Sequence, residues 1–456
     1  MAGTIGRRET RAGPSVAVIQ PARRLRGEIR LPGDKSISHR ALMLGLIAAG
    51  ESRIIGCSDG ADVRSTAAVA RALGATVQMV GGDSRTVDYR ISSPGFDGLG
   101  EATHVLDCGN SGTSLRLYAG IIAGLPMTAT LDGDASLRAR PMARIIEPLR
   151  SMGAGLSARH HDSLPPLTVV GRPPLRAVDW TTGVPSAQVK SAILLAGLRA
   201  AGTTRVSEAV ATRDHTERML RARGVAVRST AGEAGGVTIE LEGGTAVRAI
   251  DERIPGDPSS AAFWLVGAAI HPDAEITVRD VGLNPTRRAV IDLLRAMGAR
   301  IEERRPSSSS DDEAGEPRAD LVVRSSELRA VDLSATDVAS AIDEVPVLCL
   351  AATQARGRTT IRGAGELRHK ESDRIAGIAA GLAALGGRIE VDGDDIAIDG
   401  PTPLTGAAVR SRDDHRLAMT FAIAGLIASG RTTIDRPTSA AISYPGFFSE
   451  LERIRS

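Results

Sequence analysis

Six segments of this chain share one plan, a small polar cap followed by a largely apolar helix, and their even spacing constrains the fold most. The spacings between successive caps are 75, 75, 73, 77 and 78 residues, measured from Ser36, Ser111, Ser186, Ser259, Thr336 and Asp414. Six units of this length account for nearly all of the 456 residues. A fixed period of this kind indicates repeated supersecondary units that pack against their neighbours.

A second pattern repeats out of phase with the first, a polar-faced helix that ends in glycine and leads into a short strand. Glycine is common just after a helix because it adopts the left-handed backbone conformation without steric cost. The glycines in these segments are Gly74, Gly153, Gly224, Gly298 and Gly386. A sixth helix of this kind is predicted at PGFFSELERIRS, so each unit should combine two helices with several short strands.

The first helix of each unit is apolar nearly all round, which is typical of a helix buried in a core or a membrane. These helices are capped and shorter than the roughly 18–20 apolar residues that span a bilayer, so we interpret them as core helices. Six core helices predict an α/β fold of two domains, each with three units. The polar segment RRPSSSSDDEAGEPRAD (304–320) is predicted to be a disordered loop between two strands of the fifth unit.

Charge and cysteine content exclude several classes of protein. A formal net charge of +2 argues against a general nucleic-acid or membrane-surface protein, so we expect neither partner. The three cysteines, Cys57, Cys108 and Cys349, lie far apart without a CxxC pair. They predict neither a disulfide framework nor a zinc site, and a reducing cytoplasm is the simplest location. The segment MAGTIGRRETRAGPS lacks the apolar stretch of a signal peptide.

The repeated caps suggest anion binding, because a helix N-terminus presents free N–H groups and a positive partial charge. The caps also carry unusual residues, among them Lys35-Ser36, Asn110-Ser111-Gly112-Thr113 and Asp414-His415-Arg416. Ser, Thr and Asp cap helices in every class of protein, so a single cap is no evidence of a site. Six caps in register, several beside Lys or Arg, favour a cleft that binds anions.

Two further groups of charged residues allow both a structural and a functional interpretation. Asp343 and Glu344 interrupt an apolar helix, so each is either structurally paired or functional. HKESDR (369–374) is either a solvated helix start or a cluster around a ligand. No His pair has the zincin spacing, and GxGxxG after a strand, GxxxxGK[ST] and GxSxG are missing. The sequence therefore predicts no metal site, nucleotide loop or serine hydrolase.

Seven motifs occur in order over about 400 residues: PGDKSISHRA, GNSGTSLR, RARP, SAQVKSA, GDPSSAAF, HKESDR and DHRLAM. Together they closely resemble the 5-enolpyruvylshikimate-3-phosphate synthase family. GDK, SAQVK, RDHTE and NPTR further resemble its second subgroup, called class II. The resemblance implies two domains of three α/β units each, in agreement with the repeats. We expect residues 1–32 and 256–456 to form one discontinuous domain and residues 33–255 the other, with the site between them.

The reaction that this resemblance implies joins two anions. An enolpyruvyl group moves from phosphoenolpyruvate to the 5-hydroxyl of shikimate 3-phosphate, and phosphate is released. C3 is protonated, the hydroxyl adds to C2, and the tetrahedral adduct expels phosphate. Neither a metal nor an organic cofactor is implied, and a monomer is expected.

The resemblance assigns roles to individual residues. Contacts to shikimate 3-phosphate are implied for Lys35, Ser36, Arg40, Ser186, Ala187 (through its backbone), Gln188, Arg213, Asp343 and Lys370. Contacts to phosphoenolpyruvate are implied for Lys35, Asn110, Gly112, Arg140, Gln188, Arg374 and Arg416. The planar fork of arginine suits carboxylate and phosphate groups. Asp343 is a candidate base, Glu371 a candidate acid for C3, and Lys35 completes the set; the sequence leaves open which moves which proton.

Two positions depart from the family pattern, and a third residue has no assigned role. Ser136 and Ile442 stand where better-known members carry an arginine and a lysine. Lys190, one of only three lysines with Lys35 and Lys370, receives no role from the resemblance.

Two other readings remain. The sister enolpyruvyl transferase that acts on UDP-N-acetylglucosamine shares the fold but uses a loop cysteine, and LDGDASLRARP (131–141) contains none. A non-enzymatic repeat protein would have no reason to carry Asp343 in a core helix.

Overall fold

The computed structural model describes residues 16–232, 235–304 and 316–455. Its helices are α1 Lys35–Ile47, α2 Ala61–Ala72, α3 Gly112–Ala123, α4 Ala143–Ser151, α5 Arg159–Asp162, α6 Ala187–Gly197, α7 His215–Ala222, α8 Pro258–Ile270, α9 Ala289–Ala296, α10 Ala335–Ser340, α11 Val345–Gln354, α12 Arg374–Ala384, α13 His415–Ile427 and α14 Phe447–Ile454.

The strands are short and spread along the whole described chain. They are β1 Val16–Ile19, β2 Leu25–Arg30, β3 Ala49–Ser58, β4 Thr76–Gly82, β5 Thr86–Pro94, β6 Leu106–Asp107, β7 Thr128–Asp132, β8 Gly155–Ala158, β9 Leu164–Val170, β10 Leu175–Arg176, β11 Asp179–Thr181, β12 Ala200–Ala201, β13 Thr203–Glu208, β14 Val227–Ala231, β15 Val237–Glu242, β16 Glu252–Arg253, β17 Ala274–Gly282, β18 Arg300–Arg304, β19 Arg318–Arg324, β20 Asp332–Leu333, β21 Gly357–Ile361, β22 Arg388–Asp392, β23 Asp395–Gly400, β24 Ala408–Val409 and β25 Thr432–Asp435.

Five four-stranded sheets repeat one topology. Each has one parallel pair at an edge and two antiparallel pairs, in the orders β16-β3-β5-β4, β6-β7-β9-β8, β11-β13-β15-β14, β2-β17-β19-β18 and β20-β21-β23-β22. The three-stranded sheet β1-β25-β24 keeps the parallel pair and one antiparallel pair, and a small two-stranded sheet pairs β10 with β12 in parallel. The repeat predicted from the sequence is therefore a repeat of sheet topology as well as of helices.

Both β1 and β2 pair with strands from the second half of the chain. β2 runs parallel to β17, and β1 runs antiparallel to β25 near the C-terminus. The first segment of the chain thus supplies an edge strand to two sheets whose other strands lie more than 240 residues later.

The first helices of the units form two hydrophobic cores. One core contains residues from α1, α3 and α6, and the other contains residues from α8, α11 and α13. These helices are buried nearly all round, as their apolar sequences predict. The glycines predicted to follow the second helices all have positive φ, from +84° to +107°. The α/β fold of two domains with three units each is confirmed.

The caps differ from the predicted markers in three units; in the fifth unit Ser334, and not Thr336, caps α10. Asp34, not Ser36, caps α1 by accepting from the Ile37 amide at 2.9 Å, and Asp257, not Ser259, caps α8. Ser111, Ser186 and Asp414 cap α3, α6 and α13 as predicted.

The prediction of one long helix in the fifth unit was wrong. The segment folds as the short α10 and the core helix α11, and Asp343 and Glu344 lie in the turn between them. Pro346 explains the break, because proline is favoured in the first turn of a helix and disfavoured in its interior. Asp343 therefore precedes a core helix instead of interrupting one.

The predicted loop at 304–320 lies mostly outside the described residues. The strands that flank it, β18 and β19, pair with each other in the sheet beside α8, so they belong to the fourth unit and not the fifth. In the described part of the chain, no helix has the length and apolar character needed to cross a bilayer.

Two chain crossings between the cores lie side by side. Gly33 and Gly256 form a β-bridge, the Asp34 amide donates to Pro255 O at 2.7 Å, and the Asp257 amide donates to Pro32 O. A Cβ on Gly33 would lie 1.9 Å from Gly56 O, so only glycine fits there. Because residues 32–34 pair with residues 255–257, the N-termini of α1 and α8 lie beside each other.

Candidate active site

A cavity of about 940 Å³ lies between residues of the two cores. Thirteen of the fifteen predicted site residues line it: Lys35, Ser36, Gly112, Arg140, Ser186, Ala187, Gln188, Arg213, Asp343, Lys370, Glu371, Arg374 and Arg416. Residues from as far apart as α1 and α13 are thus brought to one place.

Helix N-termini surround the cavity. Lys35, Gly112, Ala187, Arg374 and His415 are the first residues of α1, α3, α6, α12 and α13, and all line it. Their free N–H groups and partial positive charge make the cavity suited to anions without a large net charge on the protein.

One side of the cavity, the clamp face, consists of Asp343, Lys370, Glu371, Arg374 and Arg416. Asp343 lies among its cations: Arg374 Nη1 is 3.3 Å from Oδ1, Lys370 Nζ is 3.6 Å from Oδ1, and Arg416 Nη2 is 3.8 Å from Oδ2. Burial alone would raise the pKa of Asp343, but the surrounding cations outweigh burial and hold it well below its usual value. Asp343 is therefore a carboxylate at neutral pH.

Arg374 is the centre of the clamp face. This side chain is only 1% exposed and donates to three carboxylates, at 2.8 Å to Asp414, 2.6 Å to Glu371 and 3.3 Å to Asp343. Burial would raise the pKa of Glu371, but Arg374 and other positive groups, including Arg140, hold it well below its usual value. The two candidate catalytic carboxylates are thus held by a single guanidinium.

Two lysines line the cavity, Lys370 beside Asp343 and Lys35 beside Asp62. Lys35 Nζ donates to Asp62 Oδ2 at 3.1 Å, and the second oxygen of Asp62 is buried and has no hydrogen-bond partner in the described part of the chain. Burial lowers the pKa of Lys370, and the opposite charge of Asp343 only partly compensates. Lys370 therefore loses a proton more readily than an ordinary lysine.

The other side, the cap face, consists of Lys35, Gly112, Ser186, Gln188 and Arg213. Gln188 Nε2 donates to Thr113 Oγ1 at 3.0 Å, and its carbonyl oxygen accepts from Arg116. A Cβ on Gly112 would lie 3.1 Å from Arg116 Nη1 and 3.3 Å from Arg140 Nη1, so a side chain there would crowd both arginines.

Arg213 connects the two faces. Its Nη2 donates to Asp343 Oδ2 at 2.7 Å, across 130 residues of sequence. A weaker link joins Arg140 Nη2 and Glu371 Oε1 at 3.9 Å.

Two predicted residues, Arg40 and Asn110, do not line the cavity. Arg40 is buried and donates to Thr216 Oγ1 at 2.7 Å, Ser191 Oγ at 2.9 Å and Ser36 O at 3.0 Å. Asn110 accepts from Arg140 Nη2 at 2.7 Å. Each lies one contact behind a cavity residue.

Of the two positions that depart from the family pattern, Ser136 lies beside a cavity residue and Ile442 does not line the cavity. Arg140 Nη2 lies 3.4 Å from Ser136 Oγ, so a serine occupies the space beside this arginine. Ile442 does not line the cavity, although its neighbour Ser443 does. Within RARP, Arg138 pairs with Asp132, which leaves Arg140 as the arginine of the cavity.

Several lining residues were missed by the sequence prediction, notably Arg116, Asp62 and Arg287. Arg116 follows Gly112 by four residues on α3, so helical spacing could have found it. Arg287 is buried 3.3 Å from Asp257 and 3.9 Å from Asp34, the caps of the crossing helices, and no local pattern signals this.

His415 lines the cavity, and neither of its ring nitrogens has a hydrogen-bond partner among the residues that the structure describes. Burial is the main cause that lowers its pKa to about 4, so the ring is neutral at pH 7.

The cysteines offer no activated nucleophile. Cys57, Cys108 and Cys349 are all buried and free, and burial raises the pKa of each thiol. No group of three or more His, Cys, Asp or Glu placed to hold a metal occurs among residues 16–232, 235–304 and 316–455.

Comparisons with known proteins show which family the whole chain is similar to. The family model described as EPSP synthase (3-phosphoshikimate 1-carboxyvinyltransferase) matches residues 19–451. A 3-phosphoshikimate 1-carboxyvinyltransferase of Gloeobacter violaceus is 51% identical over 96% of this chain and 98% of its own.

Solved structures show the same relationship. An EPSP synthase of Acinetobacter baumannii superposes with a TM-score of 0.84 at 39% identity, covering 96% of this chain and 98% of its own. An enolpyruvyl transferase of Streptomyces tendae has a TM-score of 0.74 over 96% of this chain and 97% of its own, and at 21% identity shows the fold alone. The chain therefore belongs to the EPSP synthase family, whose motifs it carries around one cavity.

Proposed function

We propose that the chain transfers the enolpyruvyl group of phosphoenolpyruvate to the 5-hydroxyl of shikimate 3-phosphate and releases phosphate. The observation that carries this proposal is the clamp face, where Arg374 holds Asp343 and Glu371 beside a cavity lined by further cations. Addition–elimination needs proton-transferring groups and groups that bind anions. The cavity supplies both: two carboxylates, a lysine of lowered pKa and several cationic hydrogen-bond donors.

Phosphoenolpyruvate fits between Lys35, Arg140, Arg374 and Arg416. Its carboxylate and phosphate would take over donors that now face Glu371 and Asp343, because arginine forks bind such groups in a bidentate manner. Once these cations are shared with substrate, the pKa of Glu371 rises toward the range of a proton donor. Substrate binding therefore prepares Glu371 to protonate C3.

Shikimate 3-phosphate fits the cap face. The N-terminus of α6 with Ser186, Ala187 and Gln188, together with Arg213, provides donors for its phosphate. Asp343 then accepts from the ring hydroxyls and is the candidate base for the 5-hydroxyl. In this scheme groups on the clamp face accept the proton that leaves the hydroxyl, give a proton to C3 in the addition, and take a proton back from C3 when phosphate is expelled.

The sister reaction on UDP-N-acetylglucosamine is the less suitable alternative. That enzyme uses a loop cysteine, whereas residues 131–141 contain none and Cys108 is buried with a raised thiol pKa. No observation favours it here.

The proposal includes the domain division at 1–32 plus 256–456 and 33–255, a monomeric state and a cytoplasmic location. The paired crossing at Gly33 and Gly256 and the two separate cores support the division. We expect the two domains to close about this crossing when shikimate 3-phosphate binds. The radius of gyration from small-angle scattering should then fall, and identical profiles with and without the ligand would contradict closure. Size-exclusion chromatography with light scattering tests the monomer.

Phosphate release tests the activity directly. Purified protein is mixed with both substrates, and phosphate and the enolpyruvyl product are quantified together. Equimolar formation of both is expected. Folded protein that forms neither, while phosphoenolpyruvate stays intact, would overturn the proposal.

A further inference from the structure

Lys190 lies on α6, immediately after the cavity residues of its first turn, but does not line the cavity. The side chain is only 1% exposed, and its ammonium lies 2.9 Å from Glu208 Oε2 and 2.8 Å from Glu217 Oε1. Lys190 Nζ also donates to Thr212 O at 3.4 Å. Both glutamates are buried as well, so the three side chains form a sealed charged cluster.

Glu208 extends this cluster toward the cavity. Its two carboxylate oxygens accept from Thr212 Oγ1 at 2.7 and 2.9 Å, and Oε2 accepts from the Thr212 amide at 3.2 Å. The amide, hydroxyl and carbonyl of Thr212 are therefore all held by Lys190 or by Glu208. The next residue is Arg213, which reaches Asp343 across the cavity.

A second buried cation, Arg40, lies beside the cluster. Arg40 Nε donates to Thr216 Oγ1, next to Glu217, and Arg40 Nη2 donates to Ser191 Oγ, next to Lys190. Burial would lower the pKa of Lys190, but Glu217 and Glu208 outweigh burial and raise it, so the ammonium stays charged. Removing Lys190 would leave two buried carboxylates with one cation fewer.

We propose that Lys190 is a positioning residue for shikimate 3-phosphate, which acts through Glu208 and Thr212 to aim Arg213 into the cavity. This inference rests on the proposed function for the identity of the ligand. Lysine suits the position because a compact ammonium with three donors meets three acceptors, whereas the planar guanidinium of arginine is larger.

Steady-state kinetics give the first test. Lys190→Met should raise the KM for shikimate 3-phosphate about tenfold, because the side chain that orients Arg213 is lost. The kcat and the KM for phosphoenolpyruvate should change less than about threefold. The matched control is Arg223→Met, which breaks the buried pair with Glu252 at the other end of α7. A KM within twofold of wild type in folded Lys190→Met, or an equal rise in the control, would overturn the inference.

A combined variant keeps the test usable if the single change prevents folding. Lys190→Met with Glu208→Gln and Glu217→Gln removes the unpaired charges but restores no ammonium. It should fold and show the same rise in KM. A normal KM in this variant contradicts the positioning role.

A double-mutant cycle then asks whether Lys190 acts through Arg213. Arg213→Ala alone should raise the KM for shikimate 3-phosphate, and Lys190→Met should add little in that background, because both changes remove the same contact. Multiplicative effects would mean that Lys190 acts by another route and would overturn the proposal.

Hydrogen exchange separates this inference from the proposed function. The Thr212 and Arg213 amides should exchange at least about tenfold faster in Lys190→Met than in wild type, and at the wild-type rate in Arg223→Met. This result needs no substrate. If the wild-type protein shows no activity in the phosphate assay, the proposed function is wrong. If exchange at residues 208–213 is the same in Lys190→Met as in wild type, the proposed role of Lys190 is wrong.

Discussion

Charged side chains on the clamp face pair with one another, whereas the cap face presents helix N-termini, hydroxyl and amide groups to the same cavity. Arg374 contacts Asp343 and Glu371 on the clamp face and the buried Asp414 behind it, and Asp343 has four cations within 4 Å. On the cap face, Lys35 has Asp62 as its carboxylate partner and Ser186 caps α6. A face of mutually paired charges can shift proton affinities when substrate enters. A face where hydroxyl, amide and helix N-terminal donors accompany Lys35 and Arg213 can hold a phosphate without changing its own charge.

Breaking the carboxylates of the clamp face should have the largest effect. Asp343→Ala and Glu371→Gln should each lower kcat at least about a hundredfold, the range expected for loss of an acid or base. The KM values should change less than kcat, and circular dichroism should show folded protein. Glu390→Gln, an exposed carboxylate paired with Arg358, is the control. Normal rates in both site variants would remove these roles from the clamp face.

Arg374→Lys keeps the positive charge but loses the fork that joins three carboxylates. Loss of a charge-assisted hydrogen bond costs about 2 kcal/mol, so kcat/KM for phosphoenolpyruvate should fall about thirtyfold. Arg358→Lys is the matched control, because Arg358 also joins two carboxylates, Asp399 and Glu390, but at the surface. The control should stay within twofold of wild type. Equal effects in the two variants would show that the fork at Arg374 has no special role.

One buried neutral histidine near each face should make the protein sensitive to acid. Burial is the main cause that lowers the pKa of His39, on α1, to about 3 and of His415, on α13, to about 4. The unfolded chain takes up these protons near pH 6.5 and the folded chain does not, so stability is full above pH 6.5 and falls below it. Between pH 6.5 and 5 each histidine should remove about 2 kcal/mol from the free energy of unfolding.

Urea unfolding at pH 7 and pH 5 measures this loss. His39→Gln and His415→Gln should each reduce the difference between the two pH values, and the exposed His104→Gln should not. A pH dependence unchanged in both buried variants would mean that other groups set the acid sensitivity.

The smallest expected effect is on the cap face. Ser186→Ala removes a hydroxyl at the cavity and the cap of α6, where the Val189 amide donates to Ser186 Oγ at 3.4 Å. The KM for shikimate 3-phosphate should rise about fivefold, or about 1 kcal/mol, with kcat nearly unchanged. Ser334→Ala, the exposed cap of α10, should cost similar stability without this rise. A fall in kcat at constant KM would contradict the division between the two faces.

Local sequence was enough for the features that depend on nearest neighbours along the chain. Helical periodicity, polar caps and glycines with positive φ predicted the six units and the two core groups of helices. The family resemblance assigned thirteen of the lining residues; eleven stand in the ordered motifs, which keep their side chains at fixed distances, and Arg213 and Asp343 lie outside them. Whether each residue plays its assigned role stays a prediction.

Tertiary structure alone decided where distant charges meet. Asp343, in the turn before α11, contacts Arg213, which lies 130 residues earlier in the chain. The buried Lys190 on α6 contacts Glu208 on β13 and Glu217 on α7. Arg287 likewise joins two helix caps that only the chain crossing brings together. A buried charge is stable only with its partners, and partners supplied by other units leave no periodic signal beside the residue itself.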